Sequence, residues 1–253
     1  MRYNQKVKDY PFGKKIITFN YPIFNPELDP PHKQSVRSDY SKTENVTRDD
    51  SRKRALDRIY DIAYANDFTD FITLTVDPLQ LDRTSPEILT KAIKIWFSNL
   101  VQRNNCNYVI IPEYHKDGTG IHFHGLMSGN YTKVDSGKKV RKGHSKGKTI
   151  YNLSNWKYGW STTIDIDGDK VALARYIIKY VTKGNEKIFG KHYLAGGKTL
   201  KREVPTKYFY QPFYEAVGNE YNIELTPYKV KYFELMANNN SNEIRKIIGE
   251  EII

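Results

Sequence analysis

The stretch from Glu113 to Gly125 (Glu-Tyr-His-Lys-Asp-Gly-Thr-Gly-Ile-His-Phe-His-Gly) limits most strongly what this chain can fold into. Apolar residues lead up to it from Tyr108, and Ile121-His122-Phe123-His124 alternates apolar and polar side chains. Such alternation marks a strand with one buried face. Lys116-Asp117-Gly118, between the two runs, is a turn signal. The segment therefore predicts an antiparallel hairpin, Tyr108–Glu113 against Ile121–Met127. Ile121 and Phe123 point into a core, and His122 and His124 share the other face. With the turn centred on Asp117-Gly118, Glu113 pairs across from His122, and directly opposite residues share a face. One carboxylate and two imidazoles then lie on a single patch.

Glu113, His122 and His124, with coordination positions left open, suit a catalytic divalent cation: Mn2+ or Mg2+ in use, Zn2+ or Ni2+ in vitro. A closed structural zinc site does not fit, because Cys106 is the single cysteine and no thiolate set exists. Two histidines one residue apart on a strand are, by themselves, often plain surface residues. Glu113 in register, the glycine-rich turn and the flanking apolar residues favour the metal reading. His115 is the rival ligand, and the turn is expected to point it away.

A second motif, Tyr176-Ile177-Ile178-Lys179-Tyr180, falls where the apolar period is helical. Positions i, i+3 and i+4 are neighbours on a helix, so Tyr176, Lys179 and Tyr180 form one polar patch while Ile177, Ile178 and Val181 turn inward. A phenol is a suitable nucleophile for a reversible strand break, since a phosphotyrosine conserves the bond energy that water would discard. The phenol needs help at neutral pH, its ordinary pKa being ~10. Lys179 can stabilise the phenolate or the phosphate, and a metal can polarise the phosphate. The plain alternative is a tyrosine that anchors the helix through a buried hydroxyl, and it applies more to Tyr180 than to Tyr176.

The formal net charge is +11, which favours a polyanionic partner, nucleic acid first. No basic amphipathic membrane anchor and no span of ~18 apolar residues is present, so no membrane partner is expected. Residues Met1–Lys15 lack the apolar core of a signal peptide, and a lone cysteine fits a reducing cytoplasm. The 20 tyrosines read in bulk as packing and base-stacking residues.

Residues 1–46 read as a basic arm with a short strand at Lys15–Phe19, residues 47–215 as the main domain, and residues 216–253 as a tail closing in a helix near Asn242–Ile252. Within the domain a helix starts near Thr47, with Ala55, Leu56, Ile59, Ile62 and Ala63 as its apolar stripe. Phe71–Val76 is a strand, Ser85 caps a helix with Pro86 in its first turn, Ser161–Ile166 is a strand, and Asp169–Lys183 is a helix stopped by Gly184. Residues 128–150 read as a Gly/Lys/Ser-rich loop whose Lys133, Lys138, Lys139, Arg141, Lys142, Lys146 and Lys148 contact phosphate, or form a solvated loop until DNA binds. Trp156, Tyr158 and Trp160 either stack bases or pack on the sheet. The order of elements predicts an α+β fold, an antiparallel sheet with helices on one face.

Three blocks in this order carry a family resemblance: Phe71-Ile72-Thr73-Leu74-Thr75 with Asp77-Pro78, Glu113 through Gly125, and Tyr176 through Tyr180. Over roughly residues 65–185 the chain resembles the HUH endonucleases, in particular the two-tyrosine rolling-circle replication initiators of bacterial plasmids and phages. The resemblance implies a ferredoxin-like HUH nuclease fold and a nick in single-stranded origin DNA. It implies a 5′-phosphotyrosine intermediate and a 3′ hydroxyl that primes a host polymerase, followed by rejoining. It also implies Glu113, His122 and His124 as metal ligands, Tyr176 as first nucleophile, Tyr180 as second and Lys179 as helper.

Gly196-Gly197-Lys198-Thr199 is not read as an ATP-binding loop, because His192 stands where its first glycine should be and the remaining chain is too short for an ATPase domain. No ATP is expected, and a host helicase is expected as partner. Asp165-x-Asp167-Gly168-Asp169 is read as a turn and helix cap rather than a calcium loop. The competing readings are a relaxase or single-strand transposase on the same fold, and a non-catalytic single-stranded nucleic-acid-binding module. Relaxases place the tyrosine near the N-terminus, and a binding module has no need of a converging Glu113, His122 and His124.

Overall fold

Period-two alternation sets strands such as Asp70–Val76 and Ile121–Ser128, and a 3.6-residue apolar period sets the helices. In chain order they are β1 (Arg2–Tyr10), β2 (Gly13–Phe24), α1 (Asp49–Ala65), β3 (Asp70–Val76), α2 (Pro86–Asn104), β4 (Asn107–Tyr114), β5 (Ile121–Ser128), β6 (Lys133–Lys139), β7 (Thr149–Leu153), β8 (Gly159–Asp165), α3 (Lys170–Lys183), β9 (Leu194–Gly196), β10 (Thr206–Tyr210), β11 (Asn219–Ile223), β12 (Val230–Met236) and β13 (Glu250–Glu251). The computed structural model describes residues 2–24, 49–115, 118, 120–143, 145–183, 187–188, 190–210, 219–223, 230–236 and 250–251. Lys116 and Asp117 of the expected turn, and Gly184, lie outside the described residues. The chain divides into two units, Glu44–Arg202 and Met1–Thr43 with Glu203–Ile253.

The first unit is built on a seven-stranded sheet in the order β6-β7-β8-β3-β5-β4-β9, with antiparallel pairing throughout. Ile72, Leu74 and Val76 of β3 share one face with Ile110, Ile121 and Phe123, and α2 seals it with Leu89, Ile93, Trp96, Phe97 and Leu100. Burying side chains of this size stabilises by roughly 1.5–3 kcal/mol each. The α2 cap is as the sequence predicts: Ser85 Oγ accepts from the Ile88 N–H at 3.4 Å, and Pro86 opens the helix. Asn105 ends it in the left-handed conformation, at φ 49°. Gly125 allows β4 and β5 to close up, since a Cβ there would stand 2.5 Å from both the Val109 carbonyl oxygen and the Ile110 side chain.

The antiparallel α+β architecture agrees with the sequence. Its helices divide between the faces: α2 covers the Ile72–Phe123 side, while α3, packed beside α1, meets β4 and β5. Tyr176 and Tyr180 of α3 reach Phe71 and His124, residues of the opposite alternation, so α3 lies on the face away from α2. Asp169 caps α3, its Oδ1 accepting from the Val171 N–H at 2.8 Å and the Ala172 N–H at 3.2 Å. Val171, Ala174, Ile177 and Val181 are its buried apolar residues.

Residues 128–150, expected as a loop, contain β6 and β7 paired as a hairpin. β6 is largely solvated and β7 is half-buried with Leu153 in the core, so neither carries the apolar alternation that would betray a strand. A register shift between Asp135 and Lys138, with Gly137 at φ 69°, breaks the pattern further. The Gly196-Gly197-Lys198-Thr199 segment begins in β9, an edge strand on β4, and Asn107 Nδ2 donates to Thr199 Oγ1 at 2.8 Å.

The second unit corrects the reading of residues 1–46 as an arm with one short strand. Arg2–Tyr10 and Gly13–Phe24 form a long hairpin in a six-stranded sheet, order β11-β12-β2-β1-β10-β13. Its buried positions include Gln5, Lys8, Lys15 and Thr18 beside Tyr3, Val7, Ile16 and Ile17, on both faces of the hairpin, so the apolar period is masked by polar residues. Its partners come from the far end of the sequence: Thr206–Tyr210, which the sequence reading assigns to the main domain, pairs with β1 instead. Of the helix expected over Asn242–Ile252, only Glu250–Glu251 is described, and it is strand β13 on β10; the remainder lies outside the described residues. Among the described residues, no helix is long and apolar enough to cross a membrane.

Candidate active site

Register assembles the site. Glu113 lies directly opposite His122, and His122 opposite Thr75, so β4, β5 and β3 contribute one transverse row. The next row is Ile111, His124 and Thr73. The Glu113–His122 pairing is the one expected from a turn centred on Asp117-Gly118. His124 Nε2 lies 3.0 Å from Glu113 Oε2, and its Nδ1 lies 3.1 Å from Thr73 Oγ1. The imidazole is thus held at both nitrogens, which fixes its ring plane. Sequence reasoning misses Thr73 as a site residue, although it lies in the first matching block. Its signal is positional: it stands opposite His124 only once the β3–β5 register is known.

His115 corrects the expectation that the turn points it away. Its N–H donates to the Gly120 carbonyl at 2.7 Å, extending the ladder one step beyond Tyr114–Ile121. Alternation then places His115 on the Glu113 face, and its ring centroid is 4.6 Å from that of His122. Gly120 leaves room on that face for Arg83, whose Nε would stand 3.1 Å from a Cβ at this position.

Among the described residues, no three His, Cys, Asp or Glu side chains form a preassembled metal cage. Glu113 and His124 instead close on each other, and His122 faces His115. The donor set itself, two or three imidazoles and a carboxylate on one sheet face, is of the kind a divalent cation takes.

Over this patch lies the tyrosine face of α3. The Tyr176 and Tyr180 hydroxyl oxygens are 2.9 Å apart. The Tyr180 ring stacks on His124 at a centroid distance of 4.1 Å and an interplanar angle of 17°. Phe71 meets Tyr176 edge-on at 5.3 Å. Lys179 Nζ lies 3.7 Å from the Tyr176 ring centroid and 5.8 Å from that of Tyr180. The two phenols differ in access, Tyr176 being 41% exposed and Tyr180 8%. Burial, then the hydrogen bond and charge of Tyr176 and the charge of Glu113, hold the Tyr180 hydroxyl far above the ordinary phenol range. The patch expected of Tyr176, Lys179 and Tyr180 is therefore present, and α3 carries it to the two histidines and Glu113.

The basic residues expected to contact DNA divide into two sets. Lys138, Lys139, Arg141, Lys142 and Lys146 are exposed on the β6–β7 hairpin. Lys133 and Lys148 are engaged with acidic groups. Lys133 Nζ bonds Asp70 at 2.7 Å and Asp165 at 2.5 Å, and Lys148 bonds Asp167 and, at 3.0 Å, the Asp165 carbonyl. Burial opposes the Lys133 charge, but Asp165 and Asp70 outweigh it and raise the lysine above its ordinary range. Asp70 is itself buried and also receives the Tyr131 hydroxyl, so Lys133 has a structural role in tying β6 to β3. Trp156 is core, stacked edge-on against Trp96 at 5.1 Å and donating to the Thr75 carbonyl at 3.3 Å.

These features define an α+β domain with paired tyrosines above a His/Glu patch on an antiparallel sheet. Residues 69–185 match the model of a family of replication-associated proteins, the ORF2 family, and the match spans all three sequence blocks. It supports a replication initiator and coincides with the β3-to-α3 segment that builds the site. Comparisons with curated proteins and with solved structures gave no significant match.

Proposed function

We propose that the protein is a replication-initiator endonuclease of the HUH, two-tyrosine type. It nicks single-stranded origin DNA, retains the 5′ end on tyrosine and later rejoins the strand. The observation that carries this reading is the contact of the tyrosine pair with the His/Glu patch: Tyr180 stacked on His124, and Tyr176 bonded to Tyr180. A helix anchored merely for packing has no need to set two phenols and an ammonium over two histidines and a carboxylate.

In this mechanism the accessible Tyr176 hydroxyl attacks the scissile phosphorus. The Tyr176 O–P bond forms, the P–O3′ bond breaks, and the 3′ oxygen leaves as a hydroxyl. Tyr180 and Phe71 hold the Tyr176 phenol in place, and Lys179 offsets negative charge developing on its oxygen or on the phosphate. Glu113, His122 and His124 are the residues that would hold a divalent cation, Mn2+ or Mg2+, with His115 as a further donor. Such a cation supplies Lewis-acid polarisation of the phosphate when bound. Thr73 positions the His124 ring. Tyr180, nearly buried, serves as the second nucleophile only after α3 or the DNA has rearranged. A host helicase and polymerase complete the replication step.

The test is covalent-adduct formation on labelled single-stranded DNA carrying candidate origins, with Mn2+ or with EDTA. The expected result is a protein-linked 5′ product that needs metal and is lost in Tyr176→Phe. Tight binding with no adduct across origins and metals would establish the non-catalytic binding module instead.

A further inference from the structure

We propose that Trp160 is a base-stacking platform that seats one nucleotide of the DNA strand on the sheet beside the nicking site, an inference that rests on the nicking reading above. Trp160 lies directly opposite Thr75, which lies opposite His122, which lies opposite Glu113. A single transverse row therefore runs Trp160–Thr75–His122–Glu113 across β8, β3, β5 and β4, and its members share a face. Along β8, Ser161 and Thr163 are the buried residues, so Trp160 cannot reach the α2 core. Trp160 is 62% exposed, and its indole makes no ring contact or hydrogen bond with the described residues. Neighbouring Trp156, by contrast, is packed on Trp96 and hydrogen-bonded. A large aromatic left in water on the functional face of a sheet is poorly explained by folding, because folding gains little from it.

The occupant follows from what flanks the indole. The sheet order places β8 between the basic β6–β7 hairpin and the β3–β5 strands that carry His122 and His124. Lys138, Lys139, Arg141, Lys142 and Lys146 of that hairpin are exposed, on a chain of net charge +11. A strand whose phosphates follow the hairpin and whose scissile phosphate reaches the His/Glu patch must cross β8. Two strand spacings, about 10 Å, separate Trp160 from His122. At ~3.4 Å per stacked nucleotide, the seated base lies within about three nucleotides of the cut. An indole face takes any base, so this platform sets position along the strand rather than sequence.

The experiment uses the whole 253-residue chain in EDTA, which withholds the metal that the nicking reading requires, titrated with single-stranded oligonucleotides of candidate origin sequence and with oligo(dT). Binding is followed by anisotropy of a label on the DNA, and seating by tryptophan fluorescence. Of the three tryptophans, Trp96 and Trp156 are buried at 6% and 7% exposure, so a nucleic-acid-dependent quench reports Trp160. The expected result is a quench that saturates with binding and disappears in Trp160→Leu. Trp160→Ala should weaken single-strand binding roughly 5- to 150-fold, and Trp160→Phe should restore most of it. DNA that binds without quenching, or an unchanged Kd in Trp160→Ala, overturns the proposal. Stacking without any metal-dependent adduct overturns the nicking reading alone, and an adduct without a quench overturns only the platform.

Discussion

Replacing Lys179 with methionine removes a charge while keeping the length of the side chain and the helix propensity of α3. The Lys179 ammonium lies 3.7 Å from the Tyr176 ring centroid. Negative charge that develops on the phenol oxygen during attack spreads into that ring, so a separation of ~4 Å sets the scale. Unit charges at that distance interact by ~1 kcal/mol in water and ~4 kcal/mol at an effective dielectric of ~20. Tyr176 is 41% exposed, which places the interaction toward the lower figure. A loss of about 1–2 kcal/mol corresponds to roughly 5- to 30-fold in rate. The assay is single-turnover adduct formation at saturating DNA, comparing Lys179→Met and Lys179→Arg with the wild type. Lys179→Arg should retain most of the rate, since it keeps the charge. A Lys179→Met rate within about twofold of wild type would refute the reasoning. So would a loss confined to DNA affinity, because the charge would then bind substrate rather than assist attack.

Three further outcomes are expected. Tyr180→Phe keeps an aromatic ring over His124 and removes the 2.9 Å hydrogen bond to Tyr176; adduct yield in a denaturing gel should fall about 2- to 10-fold, and complete loss would make Tyr180 the first nucleophile. The triple change Lys138→Ala, Lys139→Ala, Lys142→Ala should reduce the slope of log Kobs against log salt for single-stranded DNA by about 2, at ~0.7 per phosphate contact; an unchanged slope would remove the hairpin from the interface. Burial and the nearby Asp70 charge push the Cys106 thiol up to about 12, so thiolate is scarce at pH ~8 and native protein should label with iodoacetamide only as fast as it unfolds; rapid labelling without loss of structure would contradict the buried position.

Much of the site is legible in local pattern. Ile121-His122-Phe123-His124 announces which side chains share a face, and a turn of known position sets Glu113 against His122. Tyr176, Lys179 and Tyr180 announce one helical patch in the same way. The β6–β7 hairpin and the pairing of β1 with β2 are not legible, because solvated or polar residues interrupt the apolar alternation of both. Lys133 and Lys148 resemble phosphate contacts in a basic run; their partners Asp70, Asp165 and Asp167 are distant in sequence, so their commitment to ion pairs is invisible there.

Sequence by itself determined the periodicities: which residues face together on β5 and on α3, and which chemistry each patch can support. Tertiary structure decided how the patches meet. Alternation says that His122 and His124 share a face, yet it does not say which helix covers that face. The division of α2 from α1 and α3 across the sheet answers this, and it brings Tyr180 onto His124. Thr73, His115 and Trp160 join the site for the same reason. Register across strands is a non-local property, set by packing between segments as far apart in sequence as Asp70 and Asp165 of β3 and β8, and no local pattern encodes it.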